Sequence, residues 1–164
     1  MVDHGKALAF YAFHLIGVVE GKMNKTFEAI IRFIEEEVPF DKYLGIRVDE
    51  LRDGFARLLM PFQEEFIGDK RRPALHGGLI STLIDTCGGT AAWTHCTEDD
   101  RISTVDIRVD YLRPGPDDDI IAEAIVQRTG NRVSVVHTRV YAASDQKTVI
   151  AEVRSVYNIR RVNS

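Results

Sequence analysis

The chain has 164 residues, enough for one domain with a sizeable core, and its 45% apolar and 28% charged composition is that of an ordinary globular protein. Its formal net charge of −4 argues against a general nucleic-acid binder, so any polyanionic ligand must be met by a local basic patch. Cys87 and Cys96 make no disulfide framework; they fit packing residues in a reduced, cytoplasmic setting.

The apolar run "ALAFYAFHLIGVV" (Ala7–Val19) comes first. It is shorter than the ~20 residues a helix needs to span a bilayer, and neither a basic leader nor a small-residue cleavage site frames it. It reads as an N-terminal helix packed on the rest of the protein, with residues 1–22 an extension to a domain spanning 23–164. No membrane partner is expected. "NKTFEAIIRFIEEEVPF" follows, with Phe27, Ile30, Ile31, Ile34 and Val38 at helical spacing. Asn24 or Thr26 can cap its start, and Pro39 is expected to end it. "LGIRVDELRDGFARLLMPF" alternates apolar and polar residues around "RDG", which predicts a hairpin.

From Leu79 to about Trp93 the pattern is helical: Leu79, Ile80, Leu83, Ile84, Cys87 and Ala91 share one side. Gly88, Gly89, Ala91 and Ala92 let other chain segments approach this helix closely. Four strand-like runs then follow, "RISTVDIRVDYLRP", "DIIAEAIVQRT", "NRVSVVHTRVYAAS" and "KTVIAEVRSVYNIR", joined by turn sequences. A helix, two strands, a central helix and a four-strand meander make an α+β architecture.

"HGGLISTLID" (His76–Asp85) opens the central helix. Glycine pairs cost about 1 kcal/mol per residue in a helix relative to alanine. At a helix start they leave bare N–H groups and the positive end of a dipole, which suits a carbonyl oxygen turning into an oxyanion. Asp85 lies nine positions after His76, about 13 Å along the axis and on the opposite side of the helix. Ser81, Thr82 and Gly89 share its face. By geometry alone Asp85 is a solvated aspartate on the outer face of the helix, and His76 a structural cap.

"LHGGLISTLIDTCGG", followed by "STVDIRVDYLRPG", resembles the PaaI-like acyl-CoA thioesterases of the hotdog fold, over roughly Phe40 to Arg160. The resemblance implies an antiparallel sheet of five to six strands wrapped around the central helix. It implies homodimers, and homotetramers built from them, with the HGG end of one chain and the acid of another forming each site. Residue by residue, Asp85 matches the carboxylate, as nucleophile or general base. The Gly77 N–H matches the oxyanion donor, and His76 would orient the loop or the substrate carbonyl. Thr104 matches a water-positioning hydroxyl, with Ser103 one position away. Coenzyme A enters as part of the substrate; no separate cofactor is implied. Arg113, Pro114, Arg128, Gly130, Asn131 and Arg132 match segments that contact it, with Arg71, Arg72, Arg160 and Arg161 as further cations. One departure stands out: where many members carry Asn or Gln before the HGG motif, this chain has Lys70 or Asp69.

The five histidines, His4, His14, His76, His95 and His137, show no metal-ligand spacing, and neither a nucleophile elbow nor a phosphate-cradling loop is present. The expected activity is hydrolysis of an acyl-CoA to free acid and CoA. The alternatives on the same fold are a non-catalytic acyl-CoA sensor, which loss of the acid would favour, and a hydratase or dehydratase with a different local motif.

Overall fold

The structure is a computed structural model that describes residues 25–71, 73–97 and 99–162. The predicted helix at Ala7–Val19, the division at residue 22, and Asn24 and Arg72 lie outside them.

Helix α1 (Lys25–Arg32) buries Ile30 and sets Phe27 against the core. Over Phe33–Glu37 the helix widens, and the Val38 N–H donates to the Phe33 carbonyl at 3.0 Å, five residues back. Pro39 does not simply end this helix, as its sequence suggested. The break falls at Val38, in extended geometry, and Pro39 opens a second helix, α2 (Pro39–Leu44). A proline fits the first helical position because no partner for its missing N–H exists there. Gly45, at φ 71°, closes α2 in the left-handed region.

Strands β1 (Arg47–Arg52) and β2 (Phe55–Met60) form the expected hairpin, turning at Gly54 with φ 69°. Helix α3 (Gly77–Trp93) follows, then β3 (Arg101–Tyr111), β4 (Ile120–Thr129), β5 (Val133–Ala142) and β6 (Val149–Arg160). All pairings are antiparallel, and the sheet order is β1-β2-β4-β5-β6-β3. Six strands around one helix make a hotdog fold. The four-strand meander needs correction: β4, β5 and β6 form one, but β3 pairs with β6 at the far edge. The reason is the connection. The segment from Leu112 to Asp119 is too long for a tight hairpin, and Asp119 Oδ1 accepts from the Phe62 N–H at 2.7 Å, tying the chain beside β2.

The core lies between α3 and the concave face of the sheet. Ile80, Leu83, Ile84, Cys87, Ala91 and Ala92 of α3 meet Ala56, Leu58, Ala122, Ala124, Val136 and Val153, all buried. Cys87 Sγ donates to the Ala56 and Ala122 carbonyls, and Cys87 and Cys96 are both buried free thiols. Both cysteines therefore serve as packing residues.

The close approach foreseen at the small residues of α3 is made by Tyr157 of β6. Its phenol, 1% exposed, donates to the Asp85 carbonyl at 3.1 Å. A methyl group at Gly88 would collide with the Tyr157 hydroxyl. Gly88→Ala is therefore expected to destabilise the fold by about 1–3 kcal/mol, the usual range for overpacking, despite the better helix propensity of alanine. Tyr157→Phe in the same chain, which removes the colliding oxygen, should recover part of that loss in urea unfolding.

Candidate active site

The HGG segment is fixed from both sides before the helix begins. The His76 N–H donates to the Phe66 carbonyl at 2.9 Å, and the Leu75 N–H to the Gly115 carbonyl at 3.0 Å. His76 is the N-cap of α3: its Nδ1 accepts from the Gly78 N–H at 3.0 Å. An accepting Nδ1 leaves the ring proton on Nε2. A Cβ at Gly78 would lie 2.9 Å from Nδ1, so the second glycine is what lets the ring fold over the helix end. The cap uses the Gly78 N–H. The Gly77 N–H, one of the orphan donors of a helix start, has no partner among the described residues.

Tyr111, at the end of β3, closes the same region. Its hydroxyl donates to the Gly77 carbonyl at 2.9 Å and lies 2.5 Å from Ser81 Oγ, which must then be the donor to it. Gly77 and Tyr111 line a cavity of about 310 Å³ with Leu75, Ile80, Leu112, Arg113, Pro114 and Gly115. The Arg113 guanidinium donates to the Val149 carbonyl at 2.6 Å.

Asp85 departs from a simple outer-face aspartate. It is half-buried, and Thr104 Oγ1 of β3 donates to its Oδ1 at 2.7 Å. The register of β3 against β6 slips between Thr104 and Asp106. Such a bulge re-aims a side chain, and here it sends Thr104 toward α3 while Val105 stands 64% exposed. Ser103 lines the same cavity but makes no hydrogen bond to Asp85; of the two hydroxyls, Thr104 is the one that bonds the carboxylate. Asp85 Oδ2 has no hydrogen-bond partner among the described residues.

Asp85 and Thr104 line a separate cavity of about 410 Å³. Its apolar wall is Phe33, Ile34, Trp93 and Ile102, with Phe33 and Trp93 in edge-to-face contact, centroids 5.0 Å apart. The widened turn of Phe33–Glu37 delivers Phe33 and Ile34 to this wall, and such turns frequently sit at functional sites. Gly89 and Thr90, a turn beyond Asp85, form its floor with Asp41 of α2.

The remaining sequence-derived residues divide between the two ends of the sheet. Asn131 and Arg132 line a third groove, of about 470 Å³, with Asn158, Ile159, Arg160 and Arg161. Gly130 turns the β4–β5 hairpin, its N–H donating to the Val133 carbonyl, and Arg128 is exposed outside all three spaces. Arg161 is committed to Asp100 at 2.7 Å; the Thr97 backbone N–H first, and then the Arg161 guanidinium, hold the Asp100 carboxyl down at about 2. Asp69 pairs with Arg71 on the surface, and Lys70 is exposed; none of them lines these cavities. Among the described residues no three His, Cys, Asp or Glu side chains form a metal-binding cluster.

Sequence reading assigned no role to three residues here, Tyr111, Tyr157 and Asp41. The local signal for Tyr111 is that it shares the period-two face of Ile107 and Val109 on β3; Tyr157 and Asp41 carry none.

The six-stranded antiparallel sheet around one long helix is that of the hotdog thioesterases, and the comparisons with known proteins place the chain among thioester hydrolases. Residues 73–149 match the family model of the thioesterase superfamily. The chain is 32% identical to the medium/long-chain acyl-CoA thioesterase YigI of Escherichia coli, over 74% of this chain and 86% of that one. It resembles the crystal structure of a thioesterase family protein from Silicibacter pomeroyi (TM-score 0.74, 25% identity, 81% of this chain and 97% of that one). A Shewanella oneidensis protein related to the thioesterase superfamily is also similar (TM-score 0.73, 26% identity, 83% and 96%). The chain belongs to the thioesterase superfamily.

Thr104→Val should lower kcat/KM for thioester hydrolysis by about 10- to 100-fold, since a hydrogen bond to a charged group is worth roughly 1.5–3 kcal/mol. Ser103→Ala should leave it within about twofold. Equal losses in the two variants would remove Thr104 from its assigned part.

Proposed function

We propose that the protein hydrolyses acyl-CoA thioesters of medium or long acyl chains, at sites shared between two copies of the chain. The observation that carries this reading is Asp85, held by Thr104 at the wall of an apolar cavity with one carboxylate oxygen unengaged. The name of the Escherichia coli relative supports the substrate class, and the Phe33, Ile34, Trp93 and Ile102 wall suits an alkyl chain.

If the free Asp85 oxygen attacks the thioester carbon, the C–S bond breaks, CoA leaves as the thiolate, and water cleaves the resulting mixed anhydride to release the acid and restore Asp85; a proton of that water goes to the CoA sulfur. If Asp85 instead deprotonates a water that attacks the carbon, the C–S bond breaks as the acid forms, and the proton Asp85 took passes to the departing sulfur. The Gly77 N–H, left free because His76 uses the Gly78 N–H, supports an oxyanion role at the positive end of α3. No metal or cofactor step is needed for this balance.

Gly77 and Asp85 lie eight residues apart along α3, about 12 Å at ~1.5 Å per residue, so one chain does not bring them to one carbonyl. Strand β3 supports the way two chains would. It is an edge strand of 11 residues whose outer edge has no partner among the described strands, and long bare edges invite pairing. Its Thr104 end adjoins Asp85, and its Tyr111 end adjoins Gly77. These ends are about 23 Å apart at ~3.3 Å per residue. Antiparallel pairing of two β3 edges about a two-fold axis lays each end against the other, so that Asp85 of one copy faces Gly77 of the second, twice per dimer. The charge order Asp106, Arg108, Asp110 along the outward face also permits opposite charges to meet across that axis. The same pairing draws Arg113 of one copy toward the Asn131 and Arg132 groove of the other, which suits the phosphates of CoA. Tetramers would be pairs of such dimers.

The test is complementation. Asp85→Asn removes the carboxylate. Gly77→Pro removes the N–H and sets its ring in van der Waals contact with Tyr111; proline suits the first helical position, and His76 already has extended geometry (φ −63°, ψ 127°). Each variant alone should lose at least about 100-fold in the release of CoA from decanoyl- and palmitoyl-CoA. Mixed under subunit exchange, they should recover about a quarter of wild-type activity, because half of the dimers are mixed and each carries one intact site. Inactivity of the mixture would show that the site is not shared; no hydrolysis by the wild type would overturn the enzymatic reading.

A further inference from the structure

Asp41 stands outside residues 73–149 that match the superfamily. It comes from α2, and its side chain is only 5% exposed. Thr86 Oγ1 donates to its Oδ1 at 3.2 Å, the one hydrogen bond its carboxyl makes among the described residues. It lines the same cavity as Asp85, opposite Phe33, Ile34 and Trp93.

A carboxyl this deep ordinarily has a cation beside it. No ion pair of Asp41 exists among the described residues. Helix α3 contributes Asp85 and Thr86, and β6 contributes the neutral Tyr157 phenol. Across the cavity stand Asp100, already paired with Arg161, and Arg101 at the start of β3. On the widened turn, Glu35 accepts from the Val48 N–H and Glu37 pairs with Arg32. Lys42, next to it on α2, is exposed. Burial therefore pushes the Asp41 carboxyl above the usual range, Thr86 draws it partly back, and the Asp85 charge pushes the same way as burial.

We propose that Asp41 is a specificity-determining residue of the acyl pocket: an apolar chain enters that pocket with the Asp41 carboxyl neutral, so that chain binding takes up one proton from solvent. This rests on reading the cavity beside Asp85 as the acyl pocket. With the pocket empty, water reaches the carboxyl from the cavity. An alkyl chain displaces that water, which costs the ionised form its solvation and leaves the neutral acid little changed. The proton forms the O–H bond of Asp41 and returns to solvent when the acid leaves. By linkage, a ligand that raises the pKa of a group binds more weakly as pH rises through the value in the empty pocket.

The probes are the decyl and methyl thioethers of CoA, which have no carbonyl to hydrolyse. They share the same phosphates, so the difference between them isolates the chain. Binding is measured by calorimetry between about pH 5 and pH 8, in buffers of differing ionisation heat. For the wild type, the decyl advantage over methyl should fall by up to about tenfold with rising pH, the limit for a one-unit change in pKa, with proton uptake where it falls. Asp41→Asn, which keeps the Thr86 hydrogen bond, should hold the full advantage at every pH with no uptake. Thr86→Val should move the fall to higher pH. Asp85→Asn should keep a fall. A flat wild-type profile, a fall that survives in Asp41→Asn, one that vanishes in Asp85→Asn, or no binding of the decyl probe would overturn the assignment. Hydrolysis is read separately. Proton-linked binding without turnover would sink the thioesterase reading and leave Asp41 in place; turnover with pH-independent binding would do the reverse.

Discussion

The packing of one helix into a curled sheet is the constraint on which everything else here depends. A helix about 10 Å across sits in the sheet only if its side chains are small where strands press closest. Gly88, Ala91 and Ala92 supply that on the concave side, and Tyr157 takes up the space, its hydroxyl reaching the backbone carbonyl of Asp85. The contact does more than fill volume. It fixes the axial position of the turn that carries Asp85, so that Thr104, re-aimed by the bulge in β3, meets the carboxylate at 2.7 Å. A core made of larger residues could have been equally stable and would have left the carboxylate in solvent.

Much of this was legible in the chain because it is written in periods. The spacing of Leu79, Ile80, Leu83, Ile84, Cys87 and Ala91 gives a helix whose buried side is the one observed, with Leu79 only partly buried, and alternation together with turn residues marks the six strands. What periodicity does not encode is which edge a strand joins. Strand β3 looks like the first strand of a meander, yet it pairs with β6, because the eight residues before β4 are tied back beside β2. Pro39 fails for a related reason: proline both stops one helix and starts another, and the single residue between them decides which is seen.

The site divides along the same line. His76, Gly77 and Asp85 were visible through their resemblance to a family pattern, and helical geometry alone made Asp85 an ordinary surface acid. That geometry was right about direction and silent about what lies there: the face opposite the core is covered at Asp85 by Thr104 and by a cavity wall built from the widened turn Phe33–Glu37 and from α2. The residues contributed there, Phe33, Ile34 and Asp41, carry no motif. They become part of the site only because the widened turn and the restart at Pro39 wrap that segment over the middle of α3. Long-range placement of this kind has no local signature.

The start and the middle of α3 make complementary demands. At its start, the His76 ring bonds the Gly78 N–H, and that choice leaves Gly77 as the donor with nothing to hold. Two turns on, Thr104 bonds one oxygen of Asp85 and leaves the other. In each half the local structure satisfies all but one group, and the group left over has the polarity the reaction needs: a donor for an oxyanion, an acceptor for a proton or a bond to carbon. On the reading proposed above, each idle group is half of a site, and the edge of β3, which runs from one to the other and has no partner among the described strands, is the ruler that would set how the second half is brought alongside the first.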